Sequence, residues 1–247
     1  MKNIFKILLV SLTILLTGCG KEKEKEITIS AAASLKEVMN EIIQDFQKEN
    51  KNIKINVNLG GSGALRNQII GGAPVDIVFF ASKSDLDILN EKGLIDKKNH
   101  QDILKNRIVV AGKEEIQDLS EIKDKKIAIG TPETVPAGRY AKQVLENAKL
   151  WEDIQSNIVF SKDVRSAMQY VEIGEVDFGF IYKTDAKLMK NSLISYTVPE
   201  ELHKPIIYSY GIIKDKNSRE VVKFYEFLKS PKAKTYYEKY NFEMIGK

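Results

Sequence analysis

The passage from Ile53 to Gly72 constrains the fold most. Ile53, Ile55, Val57 and Leu59 alternate with polar residues, the period of a strand with one buried face. The run ends in Gly60-Gly61-Ser62-Gly63. Leu65 and Ile69 then recur at helical spacing until Gly71-Gly72 stops the helix. A strand that turns through glycines directly into a helix brings Ser62 and the free first-turn N–H groups to one place. Such a turn can serve in two ways. Ser62 can simply cap the helix, or the glycines, the unpaired N–H groups and the helix dipole can together hold an anion. The turn alone does not decide between them.

Similar turns recur along the chain. Ile27-Thr28-Ile29 opens a strand, and Leu35, Val38, Met39, Ile42, Ile43 and Phe46 follow at the spacing of an amphipathic helix. Ser34 precedes that helix with Glu37 three residues on, which predicts a capping box. Lys126–Gly130 reads as a strand, after which Pro136 sets the first turn of a helix carrying Tyr140, Ala141, Val144 and Leu145. Ala137 and Gly138 there expose backbone N–H groups behind almost no side chain, although Gly138 could equally serve packing. Ile158–Ser161 predicts a strand, and Val164, Ala167, Met168 and Val171 a helix after Asp163. Val176–Tyr182 predicts a buried strand that places a phenol, Tyr182, at its end. Further strands are expected at Val75–Phe80, Arg107–Gly112 and Ile206–Ile213, with helices around Val221–Leu228 and Ala233–Tyr240. No internal repeat of fixed period is visible. Alternating strands and helices predict an α/β fold, whose ligands sit beyond the carboxyl ends of the strands. Four small, serine-bearing or proline-started turns favour a small-anion site more than any one of them does.

The chain start has a different character. Lys2 and Lys6 precede a short apolar run, Ile7 to Leu16, too short to span a bilayer. Leu16-Thr17-Gly18-Cys19 then resembles a bacterial lipobox. Residues 1–18 are expected to be a secretory signal, with lipid on Cys19 holding the protein to the outer face of a membrane, towards the periplasm or the cell exterior. The alternation Lys21 to Glu26 reads as a solvated tether, so that 19–26 joins lipid to fold. Loss of residues 1–18 removes two lysines and leaves 36 basic against 34 acidic residues, a formal charge of +2. That near-neutral balance excludes the dense basic face of a nucleic-acid binder. Cys19 is the sole cysteine, so an internal disulfide is impossible, and two histidines give no metal-cation cluster. A serine hydrolase would use Ser62 as nucleophile, since Gly60-Gly61-Ser62-Gly63-Ala64 approaches a nucleophile elbow, with His203 as base. However, His100 and His203 both stand in polar, loop-like surroundings, where solvation is expected.

Five segments carry a specific resemblance. Ala31-Ala32-Ala33-Ser34-Leu35, Gly71-Gly72-Ala73-Pro74-Val75-Asp76, Val135-Pro136-Ala137-Gly138-Arg139-Tyr140-Ala141-Lys142, Asp163-Val164-Arg165 and Tyr182-Lys183-Thr184-Asp185-Ala186 resemble, in order, the molybdate-binding proteins of ABC importers. The resemblance covers residues 27–245. It implies a two-lobed, type II periplasmic-binding-protein fold with the oxyanion between the lobes, lobe one from 27–107 plus 208–247 and lobe two from 108–207. It implies molybdate, and with it tungstate, as ligand, a membrane permease as partner, no catalysis and no other cofactor, in a monomer. By motif, the family's oxyanion ligands (the metal here being molybdenum within molybdate) fall on Ser34 and Ser62, the amides of Ala137 and Val164, and the Tyr182 hydroxyl. Sulfate or another tetrahedral oxyanion is the alternative cargo. Arg139 and Arg165 stand near the turns, and surface pairing is their expected role, because exposed charges usually stay solvated. Glu133 and Asp163 would repel an anion and are expected to face outward.

Overall fold

The computed structural model describes residues 24–245. The expected signal segment, Cys19 and most of the charged tether lie outside them. The chain builds two sheets, one per lobe. The first lobe begins with β1 (Lys25–Ala32), a single 3-10 turn (Ala33–Leu35) and α1 (Lys36–Glu49). It continues with β2 (Ile53–Gly60), α2 (Ser62–Ile70), β3 (Ile77–Phe80), α3 (Lys83–Glu91) and β4 (Ile95–Asn106). The chain then enters the second lobe with β5 (Ile108–Gly112), β6 (Ile127–Gly130), α4 (Pro136–Asn147), α5 (Trp151–Ile154) and β7 (Ile158–Ser161). That lobe closes with α6 (Val164–Glu172), β8 (Phe178–Tyr182), α7 (Lys183–Ala186) and β9 (Leu193–Thr197). The return to the first lobe adds β10 (Ile206–Ile213), α8 (Arg219–Phe227), α9 (Pro231–Lys239) and β11 (Glu243–Met244).

Strand order is β11-β4-β10-β3-β1-β2 in the first sheet and β7-β6-β8-β5-β9 in the second. β1, β2 and β3 run parallel, as do β6, β7 and β8. Their carboxyl ends are therefore where α2, α3, α4, α6 and α7 begin. The long antiparallel pair β4 and β10 brings Asn106 opposite Ile206, so the chain leaves and re-enters the first lobe at neighbouring points.

Burial follows the periodicity. Val38, Met39, Ile42, Ile43 and Phe46 of α1 are all buried, each worth about 1.5–3 kcal/mol on removal from water. Phe46 packs edge-on against Phe224 at 5.0 Å and lies 5.3 Å from Phe227, which joins α1 to the returning helix α8.

Several expectations need correction. β4 is unexpected, because Asp96 to Asp102 carry no apolar residue and the strand is held by pairing with β10 rather than by an apolar face. His100 accordingly lies half-buried within a strand and not in a solvated loop. β9 and β11 are further strands that the sequence pattern does not predict. β1 starts at Lys25, inside the expected tether, and pairs Lys25 and Glu26 with Ile53 and Lys54. Val75 and Asp76 precede β3 rather than opening it. The Asp76 carboxylate accepts from the Thr28 N–H at 2.8 Å, which ties the approach to β1.

Candidate anion-binding site between the lobes

The carboxyl-end turns of both sheets meet around one small cavity, with about 200 Å³ of space that is partly open to solvent. Ser34, Ser62, Ala137, Val164 and Tyr182 all line it, so the structure brings the five sequence-derived positions together. All five are buried, Ser62 completely. Among the described residues, no lysine or arginine lines it. Such a space suits a small ion rather than an extended organic ligand.

Each serine is held in a way its sequence did not show. Ser34 does not cap α1. A 3-10 turn intervenes between β1 and the helix, and neither end uses a side-chain cap. Instead Ser34 Oγ lies 2.9 Å from Tyr208 Oη. Asn106 Nδ2 donates to the same Tyr208 oxygen at 3.1 Å and to Thr184 Oγ1 at 2.9 Å. With Asn106 donating to Tyr208, the phenol proton is free to go to Ser34, and the Ser34 proton can then point into the cavity. Burial pushes the Tyr208 pKa far up, so the phenol stays a neutral donor. Ser62 is likewise not the N-cap, which is Gly61; it is the first residue of α2. Its Oγ accepts from the Ala81 N–H at 3.0 Å, and its own proton is left for another acceptor.

The second lobe supplies donors of another kind. Pro136 and Ala137 open α4, and Val164 opens α6. First-turn amides have no intrahelical acceptor, and the helix dipole adds positive potential there. Gly138 is required for packing: a Cβ there would stand 1.8 Å from the Gly130 carbonyl oxygen. Tyr182 Oη is buried and finds no hydrogen-bond partner among the described residues. Burial holds this phenol well above its ordinary pKa, so it remains a donor with no acceptor among the described residues.

Charges surround the cavity rather than line it. Glu133 is exposed, as expected. Asp163, expected to face outward, is among the lining residues, because its Oδ1 turns back to accept from Ser166 N–H and cap α6. Arg139 and Arg165 do not pair at the surface as expected. Arg139 pairs with the buried Asp85, which Arg66 also meets at 2.6 Å. Arg165 pairs with Glu37 at 2.5 Å and with the buried Asp185 at 2.8 Å. Burial pushes the Asp185 carboxyl up to about 6, with Arg165 opposing the shift. Asp185 Oδ2 in turn accepts from the Tyr182 N–H at 3.3 Å. Tyr208, Asn106 and Ala81 support the site, and nothing in their local sequence marks them.

The hydrolase reading loses its base here. His203 lines a separate cavity with Arg107, Glu200 and Glu243. It is half-buried rather than solvated, its ring edge-on to Tyr140 at 5.9 Å.

Residues 27–243 match the family model described as "Bacterial extracellular solute-binding protein". The chain belongs to that family. Among curated relatives, "Putative ABC transporter substrate-binding lipoprotein YvgL" of Bacillus subtilis is 39% identical over 96% of this chain and 97% of its own. "Molybdate-binding protein ModA" of Escherichia coli is 33% identical over 94% of each chain. A solved structure described as the "substrate binding domain of putative molybdenum ABC transporter from Clostridium difficile" superposes with a TM-score of 0.68 at 34% identity, over 90% of this chain and all of that one. These relatives are named for binding a solute or substrate. This member is therefore an extracellular solute-binding protein, with the two-lobed α/β fold of the periplasmic binding proteins.

Proposed function

We propose that this protein captures molybdate, and also tungstate, between its lobes and hands it to the membrane permease of an ABC importer. The observation that carries the reading is the convergence of Ser34, Ser62, Ala137, Val164 and Tyr182, from both lobes, on one small cavity without a cationic side chain. Hydroxyl and amide donors at helix starts suit a dianion without needing a full opposite charge. The relatives named for molybdate support the choice of anion.

The donor set also implies selectivity. A protonated anion such as phosphate near neutral pH brings an O–H that needs an acceptor. Asp163 is the one carboxylate among the lining residues, and one of its oxygens already caps α6. A buried O–H left unmatched costs about 1–3 kcal/mol, roughly ten- to a hundredfold in affinity. Sulfate carries no proton and is rejected by size alone, through stretched hydrogen bonds in a cavity shaped for the larger anion. Competition titrations test this. Molybdate and tungstate are expected to bind much more tightly than sulfate, and sulfate no worse than phosphate. Sulfate binding as tightly as molybdate would overturn the assignment.

The lipobox-like Leu16-Thr17-Gly18-Cys19, together with a relative named as a lipoprotein, supports a lipid anchor on Cys19. Cys19→Ala should move the protein from the membrane to the soluble fraction or the medium. An unchanged membrane fraction would rule the anchor out.

A further inference from the structure

The two arginines expected at the surface instead cross the cleft, and their placement is paired. Arg139 follows the cavity-lining Ala137 by two residues on α4. Its guanidinium reaches Asp85 and, at 3.2 Å, Ser82 Oγ at the start of α3 in the other lobe. Ser82 adjoins Ala81, whose N–H holds Ser62 Oγ. Arg165 follows the cavity-lining Val164 directly on α6. Its NH2 group donates to the Ser34 carbonyl oxygen at 3.1 Å and to Glu37 at 2.5 Å, again in the other lobe. Its Nε faces Asp185, the carboxylate that accepts from the Tyr182 N–H. Each lobe-two amide thus has an arginine beside it that grips the lobe-one segment holding one serine.

Neither arginine is among the residues lining the cavity. Their charge is already matched: Arg66, Arg139 and Arg165 meet Asp85, Glu37 and Asp185. Both are largely buried, with side-chain exposures of 27% for Arg139 and 17% for Arg165. The backbone seam lies between them. Gly63 N–H donates to the Thr134 carbonyl at 2.9 Å, and a Cβ on Gly63 would come within 2.9 Å of Thr134 Cα.

We propose that Arg139 and Arg165 are cross-cleft positioning residues that set how long the bound anion stays, without touching it. Pairing charges in a closing cleft returns about what their desolvation costs, so closure without an anion is near balance and a bound anion tips it. Removing the Arg165 guanidinium leaves Glu37 unpaired in the closed form but solvated in the open form, and removing that of Arg139 leaves Asp85 to Arg66 and takes away the contact across the cleft. The balance then moves towards opening, and the effect falls on the dissociation rate. This inference rests on the anion-binding reading above.

Stopped-flow release of molybdate into excess tungstate, with calorimetry for Kd, tests it on the full chain. Arg139→Ala and Arg165→Ala are expected to raise the dissociation rate about tenfold and to change the association rate less than about threefold. Arg139→Lys, which keeps the charge but not the fork, should recover part of the loss. Arg66→Ala removes a partner from the same Asp85 without crossing the cleft, and should leave the dissociation rate within about threefold. If Arg139→Ala fails to fold, Arg139→Gln and the Arg165 variant carry the same test. Wild-type binding with unchanged release from both arginine variants overturns this proposal alone. A wild type that binds no oxyanion overturns the anion reading, and this proposal with it.

Discussion

The two lobes contribute donors that differ in how much they are already committed. In the first lobe, Ser34 and Ser62 are each engaged by a neighbour, Ser34 with Tyr208 and Ser62 with the Ala81 N–H. In the second, Tyr182 Oη has no partner among the described residues, and Ala137 and Val164 offer first-turn amides that no helix satisfies. The first lobe is therefore pre-oriented by its own hydrogen bonds, and the second carries unspent donors that an anion can satisfy on closure. Such a division suits a receptor that meets its ligand on one lobe and is closed by the other.

The contrast can be broken most sharply by pairing Ser62→Ala with Tyr182→Phe. Each should weaken molybdate binding by about 1–3 kcal/mol, the range for hydrogen bonds to a charged partner. Their effects on the ligand-free protein should differ. Ser62→Ala strands the Ala81 N–H and should lower stability by about 1–3 kcal/mol. Tyr182→Phe removes a hydroxyl that bonds to nothing described and should leave stability unchanged or raised. Denaturant melts of the ligand-free variants, set beside their calorimetric Kd values, separate the two. Equal destabilisation by both would erase the distinction between the lobes.

Gly63→Ala sharpens the comparison from the seam. The added Cβ meets the backbone of Thr134 only where the lobes touch. Binding should weaken roughly tenfold, while the melting temperature of the ligand-free protein moves little. Small-angle scattering at saturating molybdate should show incomplete compaction. Full compaction with unchanged affinity would show that the seam tolerates a methyl.

The strand-to-helix turns were the legible part of the site, because glycine, serine and proline act locally and the apolar period of helices such as Leu35–Phe46 is strong. What those turns do was less legible. The spacing of Ser34 and Glu37 fits a capping box, yet one 3-10 turn redirects Ser34 to Tyr208 and leaves Glu37 to Arg165. The glycines around Ser62 suggested close approach of a ligand, whereas Gly61 and Gly63 face the backbone of the other lobe. β4 was hidden because its polar residues are fixed by pairing with β10 across about a hundred residues of sequence. Arg139 and Arg165 looked solvated because Asp85 and Glu37, which they meet, belong to the opposite lobe, and no local pattern encodes contacts made by closure.

A smaller effect concerns Asp185. Its carboxyl is raised from 3.8 to about 6 by burial. The folded state therefore holds a proton that the unfolded chain has released between those values. Stability contributed through this group is present at low pH and falls as pH rises from about 4 to 6. Asp185→Asn keeps an oxygen for the Tyr182 N–H and removes the titration. Wild type should lose stability relative to this variant across that window, by at most about 3 kcal/mol. Parallel pH profiles would show that Arg165 keeps Asp185 ionised throughout.

The central claim is that the anion sits in the cavity shared by the two serines and the second lobe's donors. Calorimetric titration of molybdate into the wild type and into the Ser34→Ala, Ser62→Ala double variant tests it most directly. One anion per chain should bind to the wild type, and the double variant should lose roughly a hundredfold in affinity. A double variant that binds molybdate as tightly as the wild type would place the anion elsewhere.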